Sequence, residues 1–207
     1  MAARAKILDE AEHLLHLRGY HATAMDDIAR ACRMTKANLF HHYGSKEDLA
    51  LAVLDDKISD YRKRRVDPCC EGNDPVEAVS RMFEEAGRFY NGNGCKAGCF
   101  VANIALEMSD LNEQFRRRAG LFFEEWTKRM ASCLSRAQAS GHFLPAMDPK
   151  GAAEAIISLY EGAVMLARTR RDARVFSRVG KVARSILEQH QSRHRRPNMG
   201  PKTPCGC

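Results

Sequence analysis

The chain has 207 residues, of which 44% are apolar and 29% charged, and its formal net charge is +7. This length suits one small domain and one larger domain. No apolar run approaches the ~20 residues of a membrane-spanning helix, and the first residues lack the apolar stretch of a signal peptide, so we expect a cytoplasmic protein without a membrane partner. Residues 149–207 hold 12 Lys and Arg against 4 Asp and Glu, so the basic charge lies at the C-terminal end and indicates an acidic partner only weakly.

The first 49 residues predict a longer helix followed along the chain by two short helices. The longer helix carries an apolar stripe formed by Ile7, Leu8, Ala11, Leu14 and Leu15. Thr23, with Asp26 three residues later, has the spacing of a capping box for the second helix. Thr35 can cap the third helix, residues 36–43, and Ser45 can cap a fourth. A pair of short helices closed by a preceding helix is typical of a DNA-reading helix-turn-helix.

Spaced residues across this region also match a known family pattern. They are Ala11, Gly19, Tyr20, Thr23, Ile28, Ala29, the run TKANLFHHY at 35–43 and the run SKEDL at 45–49. On these residues, segment 4–50 resembles the DNA-binding domain of the TetR family of bacterial repressors. The family usually carries Tyr where this chain has Phe40, so a hydroxyl that often binds phosphate is missing here.

Side chains at the start of a recognition helix reach base edges. Asn38 can pair with adenine, and Lys36 with guanine or a phosphate. The alternative for both Lys36 and His41 is a solvated surface side chain without a DNA contact. Lys46 lies in the first turn of a helix, where a bound phosphate would offset its unfavourable charge. We predict DNA contacts at Thr23, Thr35, Lys36, Ala37, Asn38, His41, His42, Tyr43 and Lys46.

Helix signals continue along the rest of the chain, and no strand pattern is visible, so the predicted fold class is all-α. Helices are predicted at 46–66, 74–90, 99–108, 110–139, 148–168 and 172–191, with Asp74, Asp110 and Asp148 as caps. We predict a helix-turn-helix DNA-binding domain at 1–50, an effector-binding and dimerisation domain at 51–192, and a disordered basic tail at 193–207.

The last two long helices carry small and branched side chains on one stripe. The stripe consists of Ala152, Ala155, Ile156, Leu159, Ala163 and Val164, followed by Val175, Val179, Val182, Ile186 and Leu187. It could form core within one chain. The resemblance implies instead that both helices pack against a partner copy in a homodimer. Such a dimer would place two recognition helices about 34 Å apart on a palindrome of double-stranded DNA.

The eight cysteines include no Cys-x-x-Cys pair, so we predict no metal site and no cofactor. Segment 98–110 resembles a block in one TetR branch, some members of which sense electrophiles or oxidants through the cysteine at position 99. A helix start and the nearby Lys96 would lower the pKa of the Cys99 thiol. Cys95 could then serve as a resolving thiol. The alternative is that Cys99 is an ordinary buried cysteine.

The resemblance further implies an apolar cavity among the central helices. Candidate lining residues, each of which could equally be core, are Phe83, Phe89, Phe100, Ile104, Phe122, Trp126 and Tyr160. The sequence has no phosphate-cradling glycine loop after a strand and no supported pair of catalytic groups. We therefore predict no catalytic residues and no enzymatic activity.

These features predict a DNA-binding transcriptional regulator, most often a repressor in this family. A small molecule or a thiol-reactive electrophile would release it from a palindromic operator. The alternative is a basic architectural DNA-binding protein without a specific operator, which would coat DNA rather than protect a short palindrome.

Overall fold

The computed structural model describes residues 2–68 and 74–192. The predicted disordered tail lies outside these ranges, as do Cys69 and Cys70, two of the eight cysteines, in the interior of the chain. Within them the fold is all-α, as predicted, and the one β-type contact is an isolated bridge between Phe143 and Gln191. The helices are α1 Ala2–Arg18, α2 Met25–Ala31, α3 Lys36–His42, α4 Lys46–Tyr61, α5 Pro75–Gly92, α6 Phe100–Met108, α7 Glu113–Ala139, α8 Pro149–Arg170 and α9 Arg174–Glu188.

Helices α1 to α3 close over a small apolar core, whose fully buried members include Ile7, Leu15, Ile28 and Leu39. The predicted caps of α3 and α4 are confirmed. Thr35 accepts a hydrogen bond from the Asn38 N–H at 3.2 Å, and Ser45 accepts one from the Asp48 N–H at 3.0 Å. Each cap satisfies a backbone donor that the first turn of a helix leaves free.

The predicted cap of α2 is wrong by one residue. Ala24 holds the N-cap position, and the Asp27 carboxylate accepts from its backbone N–H at 3.2 Å. Thr23 is fully buried, and its hydroxyl donates to the Gly19 carbonyl at 2.8 Å. Thr23 therefore stabilises the turn between α1 and α2 and does not cap α2, because its hydroxyl donates to a residue that precedes it in the chain.

Helix α4 runs straight through the predicted domain boundary at residue 50 and links the small domain to the larger one. It ends in one turn of π-helix, Arg62–Val66, where a continuous α-helix was predicted. Helix α7 begins two residues later than predicted, because Asn112 rather than Asp110 accepts from a first-turn N–H, that of Gln114.

Aromatic side chains hold α5, α7, α8 and α9 together. Phe176 of α9 stacks on Tyr90 of α5 at 5.2 Å between ring centroids, and Trp126 of α7 meets Tyr160 of α8 edge-on at 5.3 Å. Helices α9 and α5 approach closely at Gly180, where a Cβ atom would lie 2.8 Å from the Phe83 Cβ. No helix in the described ranges is long and apolar enough to cross a membrane.

Candidate DNA-reading face and effector cavity

Helix α3 presents a polar outer face to solvent. Leu39 points inward and is fully buried. Exposed neighbours on the other side of the helix are Thr35, Lys36, Ala37, Asn38 and His41, while His42 is partly exposed. The structure thus brings six of the nine predicted contact residues to one surface, which has the shape that a major groove accepts.

Lys36 already has an acidic partner on this surface. Its Nζ lies 3.0 Å from Asp26 Oδ2, and both side chains are more than half exposed. Exposed pairs of this kind contribute about 0–1 kcal/mol. A phosphate or a guanine edge can therefore displace Asp26 at little cost.

Tyr43 and Lys46 are less available than the sequence suggested. Tyr43 is buried, and its hydroxyl accepts from Arg4 Nε at 3.2 Å. The Lys46 Nζ lies 4.3 Å from the centre of the Tyr20 ring, and partial burial lowers the pKa of this lysine. The hydroxyl of the buried Thr23 already donates to the Gly19 carbonyl, and the Tyr43 hydroxyl is engaged as an acceptor by Arg4. The exposed Arg4, which the sequence analysis missed, is the cation that Tyr43 holds in place.

Both ends of helix α6 contact the small domain of helices α1 to α3, the candidate DNA-reading unit. Near its C-terminal end, the two carboxylate oxygens of Glu107 accept from the backbone N–H groups of Tyr20 and His21, each at 2.8 Å. Just before its N-terminal end, the Gly98 carbonyl lies 3.1 Å from Nε2 of His16 on α1. A displacement of α6 would therefore move or break hydrogen bonds to α1 and to the turn that precedes α2.

A cavity of about 460 Å³ opens between α1, α4, α5 and α8. Its walls mix apolar and charged side chains, with Met82, Ala86, Phe89 and Tyr160 on one part and Glu12, Lys57, Asp60, Arg64 and Arg65 on another. Two of the seven predicted lining residues, Phe89 and Tyr160, line it. The prediction is wrong for the other five, which are buried core: Phe83, Phe100, Ile104, Phe122 and Trp126.

The comparisons with known proteins match both halves of this architecture. Residues 7–53 match the family model described as bacterial regulatory proteins, tetR family, and residues 75–183 match the tetracyclin repressor-like C-terminal domain. The second match covers more than half of the chain. The protein belongs to the TetR family of transcriptional regulators.

Curated and solved relatives agree with this membership. This TetR-family chain is 31% identical to the transcriptional regulator AcuR of Cereibacter sphaeroides over 76% of its own length and 72% of the relative's. It is 26% identical to the transcriptional repressor DhaR of Mycobacterium sp. strain GP1, over 82% and 84%. A TetR regulator from Chloroflexus aurantiacus superposes with a TM-score of 0.83 at 28% identity, over 92% and 96%. The protein is therefore a DNA-binding transcriptional regulator and not an enzyme.

Around Arg65 and Tyr160 of the cavity wall, this TetR-family protein holds a largely buried polar cluster. The Arg65 guanidinium lies 4.1 Å from the Tyr61 ring centre and 5.7 Å from that of Tyr160. In the described part of the chain, four buried atoms of this region lack a hydrogen-bond partner: Arg65 Nη1, Tyr90 Oη, Trp126 Nε1 and Glu161 Oε1. Sequence reasoning missed both charged members. Glu161 could have been noticed, because it is the one charged residue between 155 and 167.

The environment of Cys99 contradicts the expected activation of its thiol. Cys99 is the N-cap of α6 and is only 2% exposed. Burial and then the Glu161 carboxylate raise the pKa of Cys99 to about 12, although Arg65 and the Ala102 N–H act in the opposite direction. Burial also raises the pKa of Cys95. The effect of the helix start therefore exists but is smaller than the cost of burying a thiolate.

Proposed function

We propose that this regulator is a homodimeric repressor that binds a palindromic operator and leaves it when a small molecule enters the cavity. The observation that carries the proposal is the position of α6. One end of this helix contacts the turn before α2, and the residue before its N-cap, Gly98, lies on the cavity wall. A ligand in the cavity can therefore act on the DNA-reading unit through packed residues.

An outward-facing apolar surface on α8 and α9 supports the homodimer. Met165 and Val182 are 58% and 53% exposed, and the partly exposed neighbours are Leu159, Leu166, Val179 and Ile186. The stripe that the sequence predicted on these two helices contains two kinds of residue. Leu159, Val179, Val182 and Ile186 face outward. The following members are buried in the core of the chain itself: Ala152, Ile156, Ala163, Val164, Val175 and Leu187. Exposed apolar side chains on two neighbouring helices are typical of a protein–protein contact.

Release from DNA follows from a two-state equilibrium. The ligand favours the state whose two reading helices have the wrong spacing for successive major grooves. A ligand that binds this state about 10²-fold better supplies roughly 2.7 kcal/mol of coupling. The elements that would carry the change are α6, the Glu107 contact and the His16 contact.

The test of the proposal is footprinting of the protein on the DNA upstream of its own gene. A specific repressor protects one short palindrome, and the protection survives competition by unrelated DNA. Uniform coating at rising protein concentration would instead support a basic architectural binder. If mutations of the exposed residues of α3 leave the footprint unchanged, α3 is not the helix that contacts the operator.

Replacing Asn38 with alanine is expected to lower discrimination between the operator and scrambled DNA by about 1–3 kcal/mol, the worth of one good base contact. Asn38 is exposed on the outer face of α3, and its side chain is free to reach a base edge. The measurement is fluorescence anisotropy with both DNAs. Asn91→Ala, an exposed asparagine on α5, is the matched control and should bind as wild type does; equal loss in both variants would contradict the role of Asn38.

Cys99 is expected to react with N-ethylmaleimide at least about tenfold more slowly than the half-buried Cys133, because thiolate is the reactive form and burial suppresses it. Labelling of the native protein, followed by mass spectrometry at each site, measures the ratio. Cys99→Ser should bind the operator as wild type does. If Cys99 instead reacts first and its modification releases DNA, the electrophile mechanism is right and the noncovalent one is wrong.

A further inference from the structure

Arg65 lies on the cavity wall as a partly buried cation without an ion-pair partner. Its side chain belongs to the π-helical turn after α4, and its Nη1 has no hydrogen-bond partner. No carboxylate in the described ranges lies within ion-pairing distance of its guanidinium. Two other cations of the wall are already paired, since Lys57 lies 3.2 Å from Glu12 and Arg64 lies 2.7 Å from Asp60.

The groups around Arg65 compensate its charge only in part. The Tyr61 and Tyr160 rings attract the guanidinium through their faces, but a ring face does not accept the N–H groups that point along the edge of the guanidinium. The Glu161 carboxyl interacts electrostatically with Arg65 but forms no ion pair with it and is not among the residues that line the cavity. Burial raises the pKa of Glu161, which favours its neutral form, although the Arg65 charge and a hydrogen bond from Cys99 act in the opposite direction. A buried charge left in this condition is costly unless a partner arrives.

The unpartnered atoms near the cavity are mostly donors. Besides Arg65 Nη1, they include the hydroxyl of Tyr90 and the indole N–H of Trp126, both in the aromatic cluster around Tyr160. The lining also offers apolar surface from Met82, Ala86 and Phe89 of α5. The site thus combines one deep positive group with room for an apolar body.

We propose that the ligand of this cavity is a small organic monocarboxylate whose anionic group pairs with Arg65 and whose apolar part lies against Met82, Ala86 and Phe89. The proposal rests on the proposed function in taking this ligand to be the effector. A carboxylate fits better than a phosphate ester, because one unpaired guanidinium matches one negative charge. An amine fits less well: of the acids on the wall, Glu12 and Asp60 are already paired with Lys57 and Arg64, and Glu85 is exposed to solvent.

Binding of matched probes to the full-length protein, without DNA, tests the ligand class. Benzoate and hexanoate are compared with benzamide, hexanamide and benzylamine by isothermal titration and by the shift of the unfolding temperature. The wild type is expected to bind each carboxylate at least about tenfold more tightly than its amide, because hydrogen bonds between charged groups are among the strong ones. Benzylamine should bind no better than benzamide.

Three variants locate the effect. Arg65→Met should lose the preference for the carboxylate by at least about tenfold, and Arg65→Lys should keep part of it. Arg62→Met is the matched control: Arg62 is a neighbour on the same turn, is paired with Glu125 and lies off the cavity wall, so this variant should bind benzoate as wild type does. If Arg65→Met does not fold, the comparison of Arg65→Lys with Arg62→Met decides.

Any of three results would overturn the proposal: equal binding of acids and amides, undiminished carboxylate binding by the Arg65 variants, or absence of binding by every carboxylate tested. Operator footprinting without ligand is measured on the same preparations. A protein that protects a palindrome but ignores carboxylates remains a repressor with a different effector, while one that binds carboxylates without a specific footprint contradicts the proposed function alone.

Discussion

Replacing Val182 with aspartate is expected to convert the protein to a monomer and to weaken operator binding by about 10²- to 10⁴-fold, the range that a second tethered binding module contributes. Val182 is 53% exposed on the outer face of α9, and Met165 of α8 is also exposed. In a homodimer built on this face, two new carboxylates would lose water without gaining partners. Light scattering gives the mass, and fluorescence anisotropy gives the operator affinity.

Leu106→Asp is the matched control for this variant. Leu106 is 88% exposed on α6 and also carries an apolar side chain, so the same substitution there tests whether any surface charge has the effect. Leu106→Asp should remain a dimer. A dimeric Val182→Asp protein would show that the partner copy uses a different surface.

Replacing Phe176 with alanine is expected to lower the free energy of unfolding by about 3–5 kcal/mol, as other buried Phe-to-Ala changes do. Phe176 is fully buried and stacks on Tyr90, with ring planes 12° apart. Its removal leaves a void between α5, α8 and α9 that the close approach at Gly180 keeps from collapsing. The loss is a large share of the roughly 5–15 kcal/mol that stabilises a typical domain.

Urea unfolding followed by the fluorescence of Trp126, the single tryptophan, measures this change. Phe89→Ala is the control, because Phe89 is 57% exposed on α5 and should cost about 1 kcal/mol or less. If Phe176→Ala and Phe89→Ala lower the free energy of unfolding by similar amounts, the stacking of Phe176 on Tyr90 between α9 and α5 is not a main source of stability. The Phe176 variant should also weaken dimer formation, since α9 carries much of the proposed dimer face.

Local chemistry explains why most helix starts were predictable from the sequence. Thr35, Ser45, Asp74 and Asp148 each accept from a first-turn N–H of the helix they precede. The donor and acceptor of such a hydrogen bond are two or three residues apart, so the residue types in a short segment are enough to predict it. The prediction at Thr23 is wrong because its hydroxyl bonds to Gly19, on the far side of a turn whose path the sequence pattern does not specify.

The residues that line the cavity could not be predicted from the spacing of apolar residues along the sequence. An aromatic residue on a central helix is buried whether it fills the core or faces a void, and the difference depends on how neighbouring helices are rotated. Phe83 and Phe89 illustrate this, since they lie six residues apart on α5 and only the second faces the cavity. The environment of Cys99 was missed for a related reason, because Glu161 and Arg65 come from distant parts of the chain.

The contact between Glu107 and the α1–α2 turn should allow the small domain of helices α1 to α3 to be exchanged between relatives. Glu107 binds the main-chain N–H groups of residues 20 and 21, which every residue except proline provides. The side chain that this contact restricts most is that of residue 19, where a Cβ would lie 2.7 Å from Glu107 Oε2. A chimera that keeps Gly19 and Glu107 should therefore accept a new reading helix and still respond to the same ligand.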